Sequence, residues 1–332
     1  MDRTNKRAVV FSISTYQDLR ERAGKTLEIL DELITLFTVD EYQPQSLTVY
    51  YANAKISILK FSNRNLINVK KKIMEKEVAE LNIRFDSITL GDIYATGVTQ
   101  PLEIQVSIGL CGHQMAQQKK HYATNVPNGI SFMVSEIALK RFSMEGLKTR
   151  FLKIFTEIKG LYGYIETMNQ TELGVTIFPT PMEWTNLKHM KAEMGFDGRA
   201  RGYFWGNILT AGHIEKLGGV EYIETYAPCK RIEKIDGQND MLFLQLSDSI
   251  NDANQAQYLK LKTFLRPILS DEDIIEIAKR TYFDQDLFNN FRLVFSDEEK
   301  MDIDRIFSIP REKFNEFLYP KRTESLNKTS EN

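Results

Sequence analysis

The chain has 332 residues, of which 42% are hydrophobic and 27% charged, values typical of a folded protein with a substantial core. Its 43 basic and 45 acidic side chains leave a formal net charge of -2, which argues against a dedicated nucleic-acid-binding protein. No apolar run approaches the roughly 18–20 residues of a membrane span, and two cysteines without a CxxC motif make no disulfide framework. We therefore expect a cytoplasmic protein that binds neither membrane nor nucleic acid and carries no cofactor.

The first third of the chain alternates strand and helix patterns. Apolar residues at helical spacing predict one helix over residues 18–37 and another over residues 65–81. Residues 111–128 are polar and end in a Val-Pro-Asn-Gly turn, so they form either an interdomain connection or a functional loop. Alternating or β-branched runs predict strands at residues 9–14, 47–51, 56–61, 83–90 and 102–110.

The pattern restarts after this loop, with a strand over residues 130–134, a helix over 144–161 and a strand over 162–167. A helix over residues 211–217 is stopped by Gly218 and Gly219. Further strands are predicted at residues 203–208, 222–226, 230–235 and 241–246, and further helices at 186–194, 254–269, 271–280 and 297–307.

These elements predict an α+β fold, with mixed or antiparallel sheets packed against helices and a helical C-terminal tail. Strand–helix–strand order occurs in the first 51 residues and again over residues 130–167, which suggests two related α/β halves. The predicted domains are an N-terminal half at residues 1–125, a C-terminal half at 126–250, a helical tail at 251–322 and a disordered end at 323–332.

No complete catalytic or metal-binding motif is present. His113 and His121 share the polar loop with Cys111, but no HxxxH or CxxC spacing supplies the further ligands of a zinc site. Nucleophile elbows, active-cysteine signatures and phosphate-binding loops are also missing. We therefore predict no catalytic residue and no metal ligand. The two remaining histidines, His189 and His213, are predicted to be polar surface residues.

The aromatic run Tyr203-Phe204-Trp205 is either a binding surface or part of the core. We favour the core because a Trp side chain buries a large apolar area. In the predicted strand, alternation puts Phe204 and Ile208 on the core face and leaves Trp205 to pack under the neighbouring helix. The glycine-rich, basic segment 195–202 before this run is predicted to be a surface loop.

The run from Arg201 to Leu209, followed by residues 213–219 (His-Ile-Glu-Lys-Leu-Gly-Gly), resembles the type VI secretion immunity family. The helix that runs into Tyr162-Gly-Tyr164 is similar to that family's helix followed by a Gly-Tyr strand. With the order of predicted strands and helices around it, the resemblance covers mainly residues ~130–250. It carries over no catalytic residue. The positions that it marks are signature positions of the fold: Trp205, Gly206, Leu217, Gly218 and Gly219.

The resemblance implies a protein that binds and occludes a cognate secreted toxin. The polar loop and the basic segment before Tyr203 are the expected contact regions, since exposed loops on a rigid scaffold commonly carry recognition. Two alternatives stay open: a hydrolase-like enzyme that uses His113 or His121, and an assembly protein that forms a homodimer through a sheet edge. The candidate toxin-contact residues are His113, Lys119, Lys120, His121, Arg199 and Arg201.

Overall fold

The structure is a computed structural model that describes residues 6–86, 103–110, 128–170, 198–235, 240–269, 278–279, 282 and 296–318. Its strands are β1 (Lys6–Thr15), β2 (Gln43–Tyr51), β3 (Ile56–Lys60), β4 (Val78–Asp86), β5 (Ile104–Gly109), β6 (Asn128–Ser135), β7 (Tyr162–Gln170), β8 (Gly206–Thr210), β9 (Arg231–Lys234) and β10 (Met241–Gln245). Its helices are α1 (Ala23–Phe37), α2 (Asn63–Met74), α3 (Glu136–Leu139), α4 (Met144–Glu157), α5 (Ala211–Lys216), α6 (Val220–Tyr226), α7 (Gln255–Leu265), α8 (Asp297–Phe307) and α9 (Arg311–Leu318).

One ten-stranded sheet runs through residues 6–245, in the order β3-β2-β4-β5-β6-β1-β7-β8-β10-β9. Every neighbouring pair in it is antiparallel. The predicted α+β fold is therefore confirmed, and of the two predicted kinds of sheet, mixed or antiparallel, the observed sheet is antiparallel. No helix in the described part of the chain is long and apolar enough to cross a membrane.

The strands of the two predicted halves are interleaved. β1 lies between β6 and β7, and the boundary predicted at residues 125/126 falls between β5 and β6, which are neighbours in the sheet. Three strands separate β1 from β2, whereas only β1 separates β6 from β7. The two strand–helix–strand units thus occupy non-equivalent places. By compactness the chain divides into residues 1–270 and 271–332, and the four predicted domains stay a prediction.

An aromatic core of the first unit lies between the sheet and helices α1 and α4. Phe11 of β1 stacks on Phe132 of β6 at 4.5 Å and meets Phe151 of α4 edge to face. Phe37, the last residue of α1, packs against Phe132 and Phe85. All five rings are buried, and each aromatic pair adds about 0.5–1.5 kcal/mol beyond the burial of its apolar area.

The second unit has a core of its own. The Tyr282 and Phe314 rings stack at 3.5 Å, and Ile303 and Ile306 of α8 belong to the same buried cluster. Ser296 caps α8 by accepting a hydrogen bond from the Glu299 N–H, and the Glu299 side chain accepts one from the Ser296 N–H. This reciprocal capping box explains why α8 begins where the sequence predicts it.

Three sequence predictions of secondary structure are wrong. The second helix ends at Met74 rather than at residue 81, because Lys76 has a positive φ of 60° and β4 starts at Val78. Residues 203–205 precede the strand that was predicted to contain them. Residues 222–226 belong to helix α6 instead of a strand, since Gly219 starts a helix with the Ile223 N–H donating to its carbonyl oxygen.

Candidate functional site

The two faces of the sheet differ in chemistry across β4, β5, β6 and β1. Cross-strand partners on the helix-covered face are apolar, as in the row Ile83–Val106–Phe132–Phe11. The adjacent row, Asn82–Ser107–Ser131–Ser12, points to the opposite face because neighbouring residues of a strand alternate sides. These four polar side chains are half-buried. We call this second side the polar face.

A cavity of about 390 Å³ lies on the polar face. Two successive cross-strand rows of small or polar residues provide its floor, and the segment before β8 contributes Arg201. A volume of this size accommodates a small ligand or a side chain of a bound protein. The side chains and glycines that line it in the described part of the chain include Ser12, Ser14, Glu80, Ser107, Gly109, Asn128, Gly129, Ser131 and Arg201.

Two glycines create much of this space. Glu80, Gly109, Gly129 and Ser14 are consecutive cross-strand partners, so no side chain stands between Glu80 and Ser14. A Cβ at Gly129 would lie 2.4 Å from the Ile13 carbonyl oxygen, closer than any real contact. Gly129 is therefore required where β6 approaches β1, whereas a Cβ at Gly109 would meet its nearest atom at 3.7 Å.

Arg201 contributes the positive charge at the cavity. Its Nη1 donates to the Ser14 hydroxyl oxygen at 2.8 Å, and its guanidinium lies 5.8 Å from the centre of the Tyr164 ring. The residue is only 5% exposed. The prediction that Arg201 lies in an exposed contact loop is therefore wrong, because the chain turns its side chain inward onto the sheet. Arg199, two residues earlier, is exposed.

A buried carboxylate anchors the segment that holds Arg201. Glu166 of β7 lies on the polar face and is 1% exposed. Its Oε2 accepts hydrogen bonds from the Trp205 N–H at 2.9 Å and the Tyr258 hydroxyl at 2.8 Å. Its Oε1 accepts from the N–H and hydroxyl of Thr167 at 2.7 and 3.1 Å. One side chain thus joins β7, the segment before β8 and helix α7, with four donors satisfying its charge.

The aromatic run is fixed by a second polar side chain. Asn207 of β8 accepts the Phe204 N–H and donates to the Phe204 carbonyl oxygen, and the Tyr162 hydroxyl donates to its Oδ1 at 3.0 Å. Tyr203, Phe204 and Trp205 are all buried, as the core interpretation predicts. At Phe204 these bonds take the place of the strand hydrogen bonds that the sequence pattern led us to expect, whereas the Trp205 carbonyl oxygen still accepts the Leu246 N–H at 2.8 Å.

The residues after β8 form the end of a helix with a well-defined motif. The Gly219 N–H donates to the Ile214 carbonyl oxygen and the Gly218 N–H to that of Glu215, with Gly218 at a φ of +96°. This is a Schellman motif, which explains Gly218 after Leu217. Gly206 is needed for packing, since a Cβ there would meet the Phe243 ring at 2.9 Å. Gly206 and Gly218 thus have structural roles, and Trp205 and Leu217 are buried.

His213 is buried, so its predicted surface position is wrong. It is the third residue of α5, and its Nδ1 accepts the Thr210 N–H at 3.2 Å, completing the capping box at the start of this helix. A His serves there because its short ring can turn back to the N-cap as Glu or Gln usually does. The loop residues His113, Lys119, Lys120, His121, Cys111 and also His189 lie outside the described residues.

Four serines line the cavity, but no histidine in the described part of the chain lines it to act as their base. The described residues also contain no group of three or more His, Cys, Asp or Glu able to hold a metal. Burial raises the pKa of the Cys229 thiol to about 12, which makes it a poor nucleophile at neutral pH.

Sequence reasoning missed the cavity, although a signal was present. The strands around it alternate apolar residues with Ser or Gly, as in Ile104-Gln-Val-Ser-Ile-Gly109 and Gly129-Ile-Ser-Phe132. Strand positions favour Thr, β-branched and aromatic residues and are depleted in Gly. A run of the smallest residues at the same positions of adjacent strands indicates space above the sheet.

Comparison with known proteins shows the fold alone. No protein-family model matches the chain, and no curated protein matches its sequence. Among solved structures, the chain is similar to a T6SS protein of Pseudomonas aeruginosa, with a TM-score of 0.52 and 10% sequence identity. The likeness covers 96% of this chain and 86% of that chain. It therefore extends well beyond residues 130–250, and membership of the immunity family stays a prediction.

Proposed function

We propose that this protein binds a cognate secreted bacterial toxin and neutralises it by covering the toxin's active site, as an immunity protein does. The observation that carries the proposal is the fold shared with a T6SS protein over 96% of this chain. The local resemblance around Trp205 to the type VI secretion immunity family agrees with it. Occlusion requires recognition and no chemistry by the binding protein, which suits the cavity described above.

The polar face is the surface that we assign to this task. The sheet beneath it is held rigid from the other side by the aromatic core, and Glu166 fixes the segment that carries Arg201. A preorganised surface loses little conformational entropy on binding, which favours affinity. A side chain of the toxin would enter the cavity, while the rims of the polar face supply the rest of an interface of roughly 1,600 Å².

The test is co-expression with the product of the adjacent toxin-like gene. We expect the chain to co-purify with the toxin and to restore growth of cells that express it. Ser131→Arg should weaken both effects, because it places a long side chain in the cavity. The matched control is Thr149→Arg, an exposed position on α4 at the other side of the sheet. Absence of both a complex and growth rescue with the unaltered chain would remove the proposal.

An enzyme is the second candidate, favoured by the presence of the cavity itself. The proposed chemistry is hydrolysis with His113 or His121 as the base. Purified protein should then hydrolyse chromogenic ester or phosphodiester substrates, and His113→Asn or His121→Asn should abolish turnover. Turnover that persists in both variants, or none in the unaltered protein, would count against this candidate.

A further inference from the structure

The two edges of the sheet are not alike. At the β3 edge, the Tyr51 N–H donates to the Lys55 carbonyl oxygen and the Phe61 N–H to that of Gln45. The backbone groups of residues 55, 57, 59 and 61 therefore point toward β2. Because these groups alternate along an antiparallel strand, those of Ile56, Ile58 and Lys60 point away from the sheet.

The side chains at this edge are unusually apolar for a sheet edge. Ile56 and Ile58 are 58% and 68% exposed, and both project from the polar face. Proteins commonly protect an edge strand with charged residues. The other edge, β9, follows that rule: Arg231 pairs with Asp248, Lys234 pairs with Glu224, and Glu233 pairs with Lys148.

Cations without ion pairs flank the two isoleucines. Lys55 precedes β3, Lys60 ends it, and Arg64 lies in the first turn of α2; all three are exposed. None of the three has a carboxylate partner among the described residues, whereas Lys71 and Lys72 further along α2 pair with Glu75 and Glu77. The Lys60 carbonyl oxygen accepts a hydrogen bond from the Asn65 side chain at 2.8 Å, so the β3 edge offers the outward backbone groups of Ile56 and Ile58. It adds two apolar side chains and three positive charges that have no ion pair within the described residues.

We infer that the β3 edge binds an extended acidic segment of the partner protein, which adds to the sheet as a further antiparallel strand. Backbone hydrogen bonds would hold the segment, the two isoleucines would contact its alternate side chains, and the cations would select acidic residues. This inference rests on the proposed toxin-binding function. A second copy of this chain is the less suitable occupant, because its β3 edge would bring three more cations to the same place.

The test measures affinity for the toxin with two edge variants. Ile58→Pro removes an outward N–H donor and leaves the pairing with β2 intact. The second variant replaces Lys55, Lys60 and Arg64 by Glu. We expect each to weaken binding at least tenfold, with the melting temperature nearly unchanged. The charge-matched control replaces three exposed cations without ion pairs elsewhere in the described chain: Lys140, Lys260 and Arg266.

The outcomes separate this inference from the function on which it rests. If both edge variants bind the toxin as tightly as the unaltered chain does, the β3 inference is overturned and the immunity proposal stands. If the unaltered chain binds no toxin, the immunity proposal fails, and an acetyl-Glu-Val-Glu-Val-Glu-Val-Glu amide probe tests the edge alone. Binding that Ile58→Pro abolishes would support the acidic-strand site, and no binding would overturn it. A dimer in light scattering that Ile58→Pro dissociates would assign the edge to a second copy instead.

Discussion

Glu166→Gln should be among the most destabilising single substitutions in this protein. Each carboxylate oxygen accepts two hydrogen bonds, from the Trp205 N–H and the Tyr258 hydroxyl at one and from two Thr167 donors at the other. A glutamine amide, in either orientation, directs its NH₂ group at a backbone N–H, which cannot accept, and at a hydroxyl, which can rotate to accept. The bond from that backbone N–H is lost at about 1.5–3 kcal/mol and the other three lose their charge assistance, so we expect a loss of about 3–6 kcal/mol.

Urea unfolding, followed by circular dichroism, measures this difference in the free energy of unfolding. Tyr258→Phe removes one of the four donors and should cost about 1–2 kcal/mol alone, and less in the Glu166→Gln protein, since the interaction is already broken there. The control is Glu80→Gln, which alters a half-buried carboxylate at the cavity and should cost less than about 1 kcal/mol. A loss below about 1 kcal/mol for Glu166→Gln would refute the role of this carboxylate as an anchor.

Three further predictions concern backbone space and thiol chemistry. Gly129→Ala should lower the free energy of unfolding by about 1–3 kcal/mol, because its Cβ meets a β1 carbonyl oxygen. Gly109→Ala should lower it by less than half as much. Equal losses in urea unfolding would contradict this contrast. Gly24 lies in α1 with open space around it, so Gly24→Ala should stabilise the protein by about 0.5–1 kcal/mol. Gly218 has a positive φ, so Gly218→Ala should destabilise the protein by a similar amount. Stability changes of the same sign for both variants in thermal unfolding would contradict this reasoning. In a variant with the other cysteine replaced by serine, Cys229 of the folded protein should react with iodoacetamide at pH 8 at least a hundredfold slower than Cys229 of the protein unfolded in guanidinium. The reason is that burial raises the pKa of this thiol from 9.0 to about 12. Equal rates would show that the thiol is not protected.

Much of the sheet and its helices could be predicted because one physical signal, apolar periodicity, dominates there. Helix α4 places Leu147, Phe151, Ile154 and Phe155 on one buried face, and β1 alternates between the core and the polar face. The spacing of the apolar residues in these elements identifies the helix or strand without knowledge of the tertiary structure. The strand order could not be predicted in this way, because the placement of β1 between β6 and β7 depends on pairing between distant segments.

The errors occur where capping or side-chain hydrogen bonds outweigh periodicity. The run Val-Glu-Tyr-Ile-Glu-Thr-Tyr alternates like a strand, yet Gly219 starts α6 and only Ile223 in it is buried. Residues 203–205 have strong strand propensity, but the Asn207 side chain bonds both backbone groups of Phe204, and β8 starts only at Gly206. His213 was predicted to be exposed because it is polar and isolated, and its buried position follows from the N-cap bond to Thr210. In each case the deciding contact is a specific hydrogen bond.

The floor of the cavity consists of residues that strands seldom use. Gly and Ser are weak strand formers, and a glycine in a strand costs about 0.5–1 kcal/mol, yet these residues occupy the polar face of β5 and β6 near the middle of the sheet. The same two strands are stabilised from the other side by Val106, Ile108, Ile130 and Phe132, all buried. Sequences that satisfy local rules on one face and break them on the other are expected at functional sites. The helix-covered face therefore supplies most of the apolar burial of β5 and β6, and the serines of the polar face can differ without loss of that burial.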